Sequence, residues 1–247
     1  MTGAWMSGAL ALAALTLAPA AQAQAQSGET AADALDAASA AAAAVGGEAG
    51  GPTCGPAEPV DAASEDTMEL AAPTTIDEPF GRAWLGAADG DVTLVVFVDY
   101  ACPACREAQP VIDALIRDDP RLKVVYRLFV NEEEGRDAIR TSLAVAHVGG
   151  DWTTFHRALD AAGAPTEATI ARALATARID ASTLRPCLDP NGYVPAIEDE
   201  LSRTNSYFYE RKGTAVPSWV IGKGKVRAGI DQATVAAAIA RARKSAR

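Results

Sequence analysis

The chain has 247 residues, enough to bury a sizeable core in one domain or in one domain with an insertion. Hydrophobic residues make up 49%, a share inflated by alanine, and a formal net charge of −10 argues against nucleic acid as a partner. The charge is uneven: Arg82 is the only basic residue between Gln24 and Tyr100, whereas Asp231 is the only acid from Arg211 onward.

Residues 1–23 have the pattern of a secretory signal peptide. Ala9 to Leu17 form an apolar run, and Ala21-Gln22-Ala23 supplies a small-x-small cleavage pattern, with Ala23-Gln24-Ala25 as a near alternative. No Lys or Arg precedes the run, so an uncleaved N-terminal anchor is the other reading; against it, the run is short for a span of about 20 residues. Either way the body of the protein is expected outside the cytoplasm, where disulfides persist. Residues 24–73 are rich in Ala, Gly, Pro and acids and hold few large apolar side chains, so they read as a low-complexity, disordered arm. Ala31 to Val45 has high helix propensity but little to pack against. Cys54 lies in this arm.

Residues 74–131 read as the first part of an α/β domain. Phe80, Trp84 and Leu85 suit a short helix or an extended cover, and Asp89-Gly90 marks a turn. Leu94 to Val98 is an unbroken apolar run, as expected of a strand covered on both faces. The next apolar positions, Ala108, Val111, Ile112 and Leu115, fall at helical spacing. Between strand and helix stands Cys102-Pro103-Ala104-Cys105. This places Cys102 at a helix N-terminus, where unpaired N–H groups and the helix dipole favour a thiolate. Pro103 falls in the first turn, where its missing N–H costs nothing. An accessible, low-pKa thiol with a second thiol one turn away is the equipment of thiol–disulfide exchange. A zinc site would need more ligands. Only Cys54, Cys187, His147 and His156 remain, and none repeats the Cys-x-x-Cys spacing. Asp119-Pro120 then marks a turn before a second β-rich run, Arg121 to Val130, which predicts a parallel βαβ unit.

Residues 132–212 read as an all-helical insertion of ~80 residues, the size of a small packed unit. Ala138, Ile139, Leu143, Val145 and Ala146 form one stripe, ended by Gly149-Gly150. Asp151 is placed to cap the next helix, with Trp152, Phe155 and Leu159, and Pro165-Thr166 opens another, with Ile170 and Leu174. Leu184, Cys187 and Leu188 precede the breakers 189–192, and a last helix starts near Pro195 with Ile197, Leu201 and Phe208 on one face. Residues 213–247 return to β: Val216 to Ile221 as a strand, Gly222-Lys223-Gly224 as a hairpin turn, and Lys225 to Ala228 as its partner. Asp231 caps a final helix.

This order of elements resembles the DsbA-like thiol–disulfide oxidoreductases, which have a thioredoxin-like fold with a helical insertion. The likeness is carried by Phe97-Val98-Asp99-Tyr100-Ala101-Cys102-Pro103-Ala104-Cys105, by Trp152-Thr153-Thr154-Phe155-His156, by Cys187-Leu188, and by Gly213-Thr214-Ala215-Val216-Pro217-Ser218-Trp219-Val220-Ile221. It spans about Val92 to Ile239. It implies that Cys102 is the attacking thiolate, Cys105 the resolving thiol and Pro217 a cis-proline beside them. Val216, Pro103 and Ala104 would contact substrate, with Val216 offering a backbone edge to an extended segment. The family usually places a buried acid six residues before the first cysteine; that position here is Val96. Asp99 is a candidate substitute, but its place at a strand end suits an acceptor of backbone N–H groups. The Pro-Ala dipeptide lacks a His that would steady the thiolate, so a milder oxidant is expected. Val216 resembles the oxidase branch more than isomerases, which often carry Thr.

His156 lies in a motif on a packed helix and is expected to be structural. Cys187 is expected to be a buried thiol or to pair with Cys54 in a bridge. Phe208 is assigned to the core, leaving Tyr207 and Tyr209 as substrate contacts. The expected activity is donation of the Cys102–Cys105 disulfide to reduced client proteins, with a DsbB-like membrane partner as reoxidant and no cofactor. The rival readings are a reductase or isomerase on the same fold, and a metal-binding or interaction module.

Overall fold

The computed structural model describes residues 75–188 and 194–246. The expected signal peptide, the arm with Cys54, and the breakers 189–192 lie outside the described residues. A five-stranded mixed sheet, order β1-β3-β2-β4-β5, carries the domain. Its strands are β1 (Trp84–Gly86), β2 (Val92–Val98), β3 (Leu122–Leu128), β4 (Ser218–Ile221) and β5 (Arg227–Ala228). The helices are α1 (Pro103–Asp118), α2 (Arg136–His147), α3 (Trp152–Ala161), α4 (Glu167–Thr176), α5 (Ala181–Leu188), α6 (Pro195–Glu210) and α7 (Gln232–Ser245).

The two long strands are parallel and in register from Val92↔Leu122 to Val98↔Leu128, with α1 as the crossover, as the βαβ reading predicts. Both are covered on both faces. Val92, Leu94, Val96 and Val98 join the larger core with α1, the insertion helices and α7. Val95 and Phe97 join Ile76, Val125, Phe129, Phe208 and Val220 in a second cluster on the other face. That double burial is why the runs read as continuous rather than alternating.

Three local expectations are refined. Of the two readings for Phe80 to Leu85, the extended one holds: Trp84 to Gly86 pair antiparallel with β3 as an edge strand. The expected 216–221 strand begins at Ser218 because Pro217 has no N–H for a ladder. Its hairpin partner shrinks from 225–228 to Arg227–Ala228. The Val226 N–H turns instead to the Arg211 carbonyl at 3.2 Å, and its side chain enters the second core cluster. The helix caps fall where the sequence places them: Asp151 accepts from the Thr154 N–H, Thr166 forms a capping box with Thr169, and Asp231 accepts from the Thr234 N–H.

β3 also contains a residue that the apolar pattern hides. Arg127 is fully buried. One of its terminal nitrogens binds both carboxylate oxygens of Glu200 on α6, at 2.6 and 2.7 Å. Its other nitrogens donate to the carbonyls of Thr75, Ile76 and Glu78. The ion pair therefore joins the sheet, α6 and the segment entering the domain.

Candidate active site

Cys102 is the N-cap of α1, with extended backbone (φ −77°, ψ 114°), and Pro103 takes the first helical position. The Cys102 side chain is partly exposed, and Pro103 and Ala104 are exposed beside it. One turn on, Cys105 points inward and is 4% exposed. Both cysteines are free thiols. Burial pushes the Cys105 thiol well above its ordinary range, and its hydrogen bond with Cys102 pushes the same way, while the Asp99 N–H, 3.5 Å from its sulfur, pulls it down. The pair is thus asymmetric. One sulfur is reachable, and its neighbour holds its proton in a dry pocket.

The loop after α6 closes the other side. The Val216–Pro217 peptide is cis. The Cys102 thiol donates to the Val216 carbonyl at 3.7 Å. The structure therefore brings Cys102, Cys105, Val216 and Pro217 together, with Pro103 and Ala104 at the rim. Cys187 is elsewhere, fully buried on α5 and disulfide-bonded; its expected partner Cys54 lies outside the described residues. Among the described residues, no group of three or more His, Cys, Asp or Glu is placed to hold a metal ion.

Val96 is fully buried and apolar below the pair. Asp99 is 1% exposed. Its Oδ1 accepts from the Ala101 N–H at 2.9 Å, and its Oδ2 from the N–H groups of Asn131 and Glu132, each at 2.8 Å. A carboxylate so engaged is an acceptor of backbone N–H groups, the role its strand-end position predicts. It ties the loop after β3 to the loop that carries Cys102, and its own N–H reaches Cys105. Gly135 makes this close approach feasible, because a Cβ there would lie 2.1 Å from Asp99 Oδ1. Gly135→Ala is expected to displace the carboxylate and cost about 1–3 kcal/mol by overpacking, read by urea denaturation. An unchanged midpoint would mean that the loop yields freely.

The tyrosines of α6 divide as follows. Phe208 is core, in edge contact with Phe97 (ring centroids 5.3 Å). Tyr207 is half-buried, stacked on Phe97 and covered by Arg211. Tyr209 is 64% exposed and leans on Phe129. His156 is 1% exposed and hydrogen-bonded at both ring nitrogens, as a structural histidine would be.

A dithiol at the head of a helix, facing an X-Pro turn at the end of a mixed sheet, defines the thioredoxin class of fold in its DsbA-like form with an inserted helical unit. The chain belongs to the thioredoxin family, whose model matches residues 80–241. Its structure is similar to that of a thioredoxin-like oxidoreductase from Silicibacter pomeroyi DSS-3, with 28% identity, TM-score 0.61, and coverage of 68% of this chain and 95% of that one. It shares its fold with a periplasmic thioredoxin-like protein from Salmonella enterica serovar Typhimurium, at 19% identity and TM-score 0.55, over 72% of this chain and 97% of that one. The same holds for the thiol-disulfide exchange protein α-DsbA2 from Wolbachia pipientis, at 21% identity and TM-score 0.56, over 64% and 85%. No curated protein matches.

Proposed function

We propose that this chain is an extracytoplasmic thiol–disulfide oxidoreductase that oxidises the thiols of reduced client proteins. The observation that carries this is the asymmetry of the pair: Cys102 partly exposed at a helix N-cap, Cys105 buried and strongly protonated behind it. In the disulfide form, a client thiolate attacks the Cys102 sulfur. The Cys102–Cys105 bond breaks, and Cys105 leaves as a thiolate that takes up a proton. A second client thiolate then attacks the client sulfur of the mixed disulfide, and Cys102 departs as a thiolate. Two electrons pass from client to protein. A DsbB-like membrane quinone reductase would return the pair to its disulfide.

The burial of Cys105 supports this order of events. A protonated Cys105 is a poor nucleophile, so it does not reverse the mixed disulfide before the client resolves it. Val216, Pro103 and Ala104 would take the client backbone and the residues flanking its cysteine. The signal-peptide pattern supports a periplasmic or otherwise extracytoplasmic place, with an N-terminal anchor as the alternative; among the described residues no helix is long and apolar enough to cross a membrane. The acidic arm would serve as a tether, and Cys54 would close a bridge to Cys187.

Cys102→Ser is expected to abolish oxidation of a reduced dithiol peptide, whereas Cys105→Ser should trap a mixed disulfide through Cys102. Full activity in Cys102→Ser would refute the assignment. Titration against glutathione sets the direction. A potential near −120 mV marks a strong oxidant, and one near −270 mV a reductant, with this chain expected about midway or higher.

A further inference from the structure

Tyr100, two residues before Cys102, is 3% exposed and its hydroxyl is enclosed by polar groups from the helical insertion. The hydroxyl lies 2.9 Å from Ser142 Oγ on α2 and 2.9 Å from His156 Nδ1 on α3. His156 Nε2 lies 3.2 Å from Gln109 Oε1 on α1, which also accepts from the Tyr126 hydroxyl of β3 at 3.0 Å. Gln109 Nε2 donates to Asp113 Oδ1 at 3.1 Å, and Arg157 holds the same carboxylate. At the far end, Trp152 Nε1 donates to Ser142 Oγ at 2.8 Å.

The direction of every bond in this chain follows from its two ends. An indole nitrogen only donates and a carboxylate only accepts. Asp113 therefore fixes the Gln109 amide with its nitrogen outward and its oxygen inward. That oxygen can only accept, so His156 must carry its proton on Nε2. Nδ1 is then an acceptor, and the Tyr100 hydroxyl donates to it. The Tyr100 oxygen in turn accepts from Ser142, whose oxygen receives the indole N–H. Every donor finds an acceptor with a neutral Nε2–H imidazole, and no other tautomer closes the chain.

We infer that His156 is a positioning residue for the dithiol, acting through Tyr100 to favour the reduced form. This rests on the exchange chemistry proposed for Cys102 and Cys105. The Tyr100 carbonyl accepts from Arg106 Nη1 at 2.7 Å, so fixing Tyr100 also fixes a cation on the first turn of the cysteine helix. Cutting the network frees the Tyr100 to Cys102 backbone and the Arg106 guanidinium together, and so loosens the helix N-terminus whose N–H groups and nearby cation favour a thiolate over a disulfide.

The test is equilibrium with glutathione on the full chain, with Tyr100→Phe and His156→Phe beside Arg243→Gln, which removes an ion pair to Asp91 and Asp119 outside the network. Half-reduction of the first two is expected to need a glutathione ratio roughly three- to tenfold more reducing than the parent, the worth of one or two hydrogen bonds. Arg243→Gln should stay within about twofold of the parent. Ring-nitrogen NMR of His156 in the intact protein is a second readout that needs no variant, and should show a protonated Nε2 and a bare Nδ1. An Nδ1–H tautomer, or Tyr100→Phe and His156→Phe titrating with the parent, would overturn the inference. A parent that exchanges normally beside unmoved variants defeats this inference alone. A parent that does not exchange with glutathione defeats the proposed function, and with it the reach of His156 to the thiols.

Discussion

Replacing Glu200 with leucine is expected to lower the free energy of unfolding by about 3–5 kcal/mol, the cost of leaving a buried charge without its counter-ion. Arg127 is fully buried, and Glu200 is 1% exposed. The guanidinium stays charged at any working pH. Once the carboxylate is gone, its remaining partners are neutral carbonyls of Thr75, Ile76 and Glu78. Those carbonyls solvate the cation in part but do not neutralise it. Thr204, whose hydroxyl donates to Glu200 Oε1 at 3.1 Å, loses its acceptor as well. The double variant Arg127→Met/Glu200→Leu removes both charges and should recover more than half of the loss, because two apolar side chains of similar volume suit a core on both faces of β3. Urea denaturation with an unchanged m-value measures both. A single variant that costs less than about 1 kcal/mol would mean that water reaches Arg127. The reactivity of Cys102 should be untouched in the folded fraction, since the ion pair lies on the opposite face of the sheet from the cysteine helix.

The contrast between this ion pair and the cysteine helix shows what the chain's linear order reveals. The βαβ unit, the cysteine helix and the helical insertion are written in local patterns: continuous apolar runs, helical spacing after Cys105, and cap residues such as Asp151, Thr166 and Asp231. Cys102, Cys105 and the Val216-Pro217 pair were legible because their chemistry depends on residue type at fixed spacing. Arg127 was not, since its partner is 73 residues away. A charge inside an apolar strand run is nonetheless a signal that a counter-ion must be found. Gln109 looks like a polar position on an amphipathic helix, yet it is 7% exposed, and its partners come from 17 and 47 residues further along. Trp84 to Gly86 is three residues long and too short for period-two alternation to register. Asp99 is the intermediate case: its position at a strand end indicated a backbone acceptor, but which loop it would hold depended on the return of the chain after β3.

The network around His156 makes stability fall in acid, and the sign follows from which state binds the proton. Burial holds the His156 imidazole at about 3 against an ordinary 6.5, with Arg157 pushing the same way and Asp113 opposing. Between these values the unfolded chain is protonated and the folded one is not, so stability is fully present above pH 6.5 and is lost as pH falls toward 3. The loss from this one group is about 2 kcal/mol by pH 5 and about 4 kcal/mol by pH 3. His147 is also lowered by burial and adds to the same trend. Asp160 opposes it. Burial raises that carboxyl to about 6, between Arg106 and Asp113 on α1 and Arg157 on its own helix, so the folded state binds the extra proton from about 6 down to its ordinary 3.8. The histidine is therefore isolated by difference. His156→Phe removes its titration and leaves His147 and Asp160 in place. At pH 7 the variant should be the less stable protein, having lost the bonds to Tyr100 and Gln109. The gap should close as pH drops, because only the parent pays the cost of an uncharged histidine in an acidic solution. Chemical denaturation of both proteins between pH 7 and pH 4 measures it. Parallel stability curves would show that His156 takes up its proton in the folded state, and that Nδ1 is not held by the Tyr100 hydroxyl.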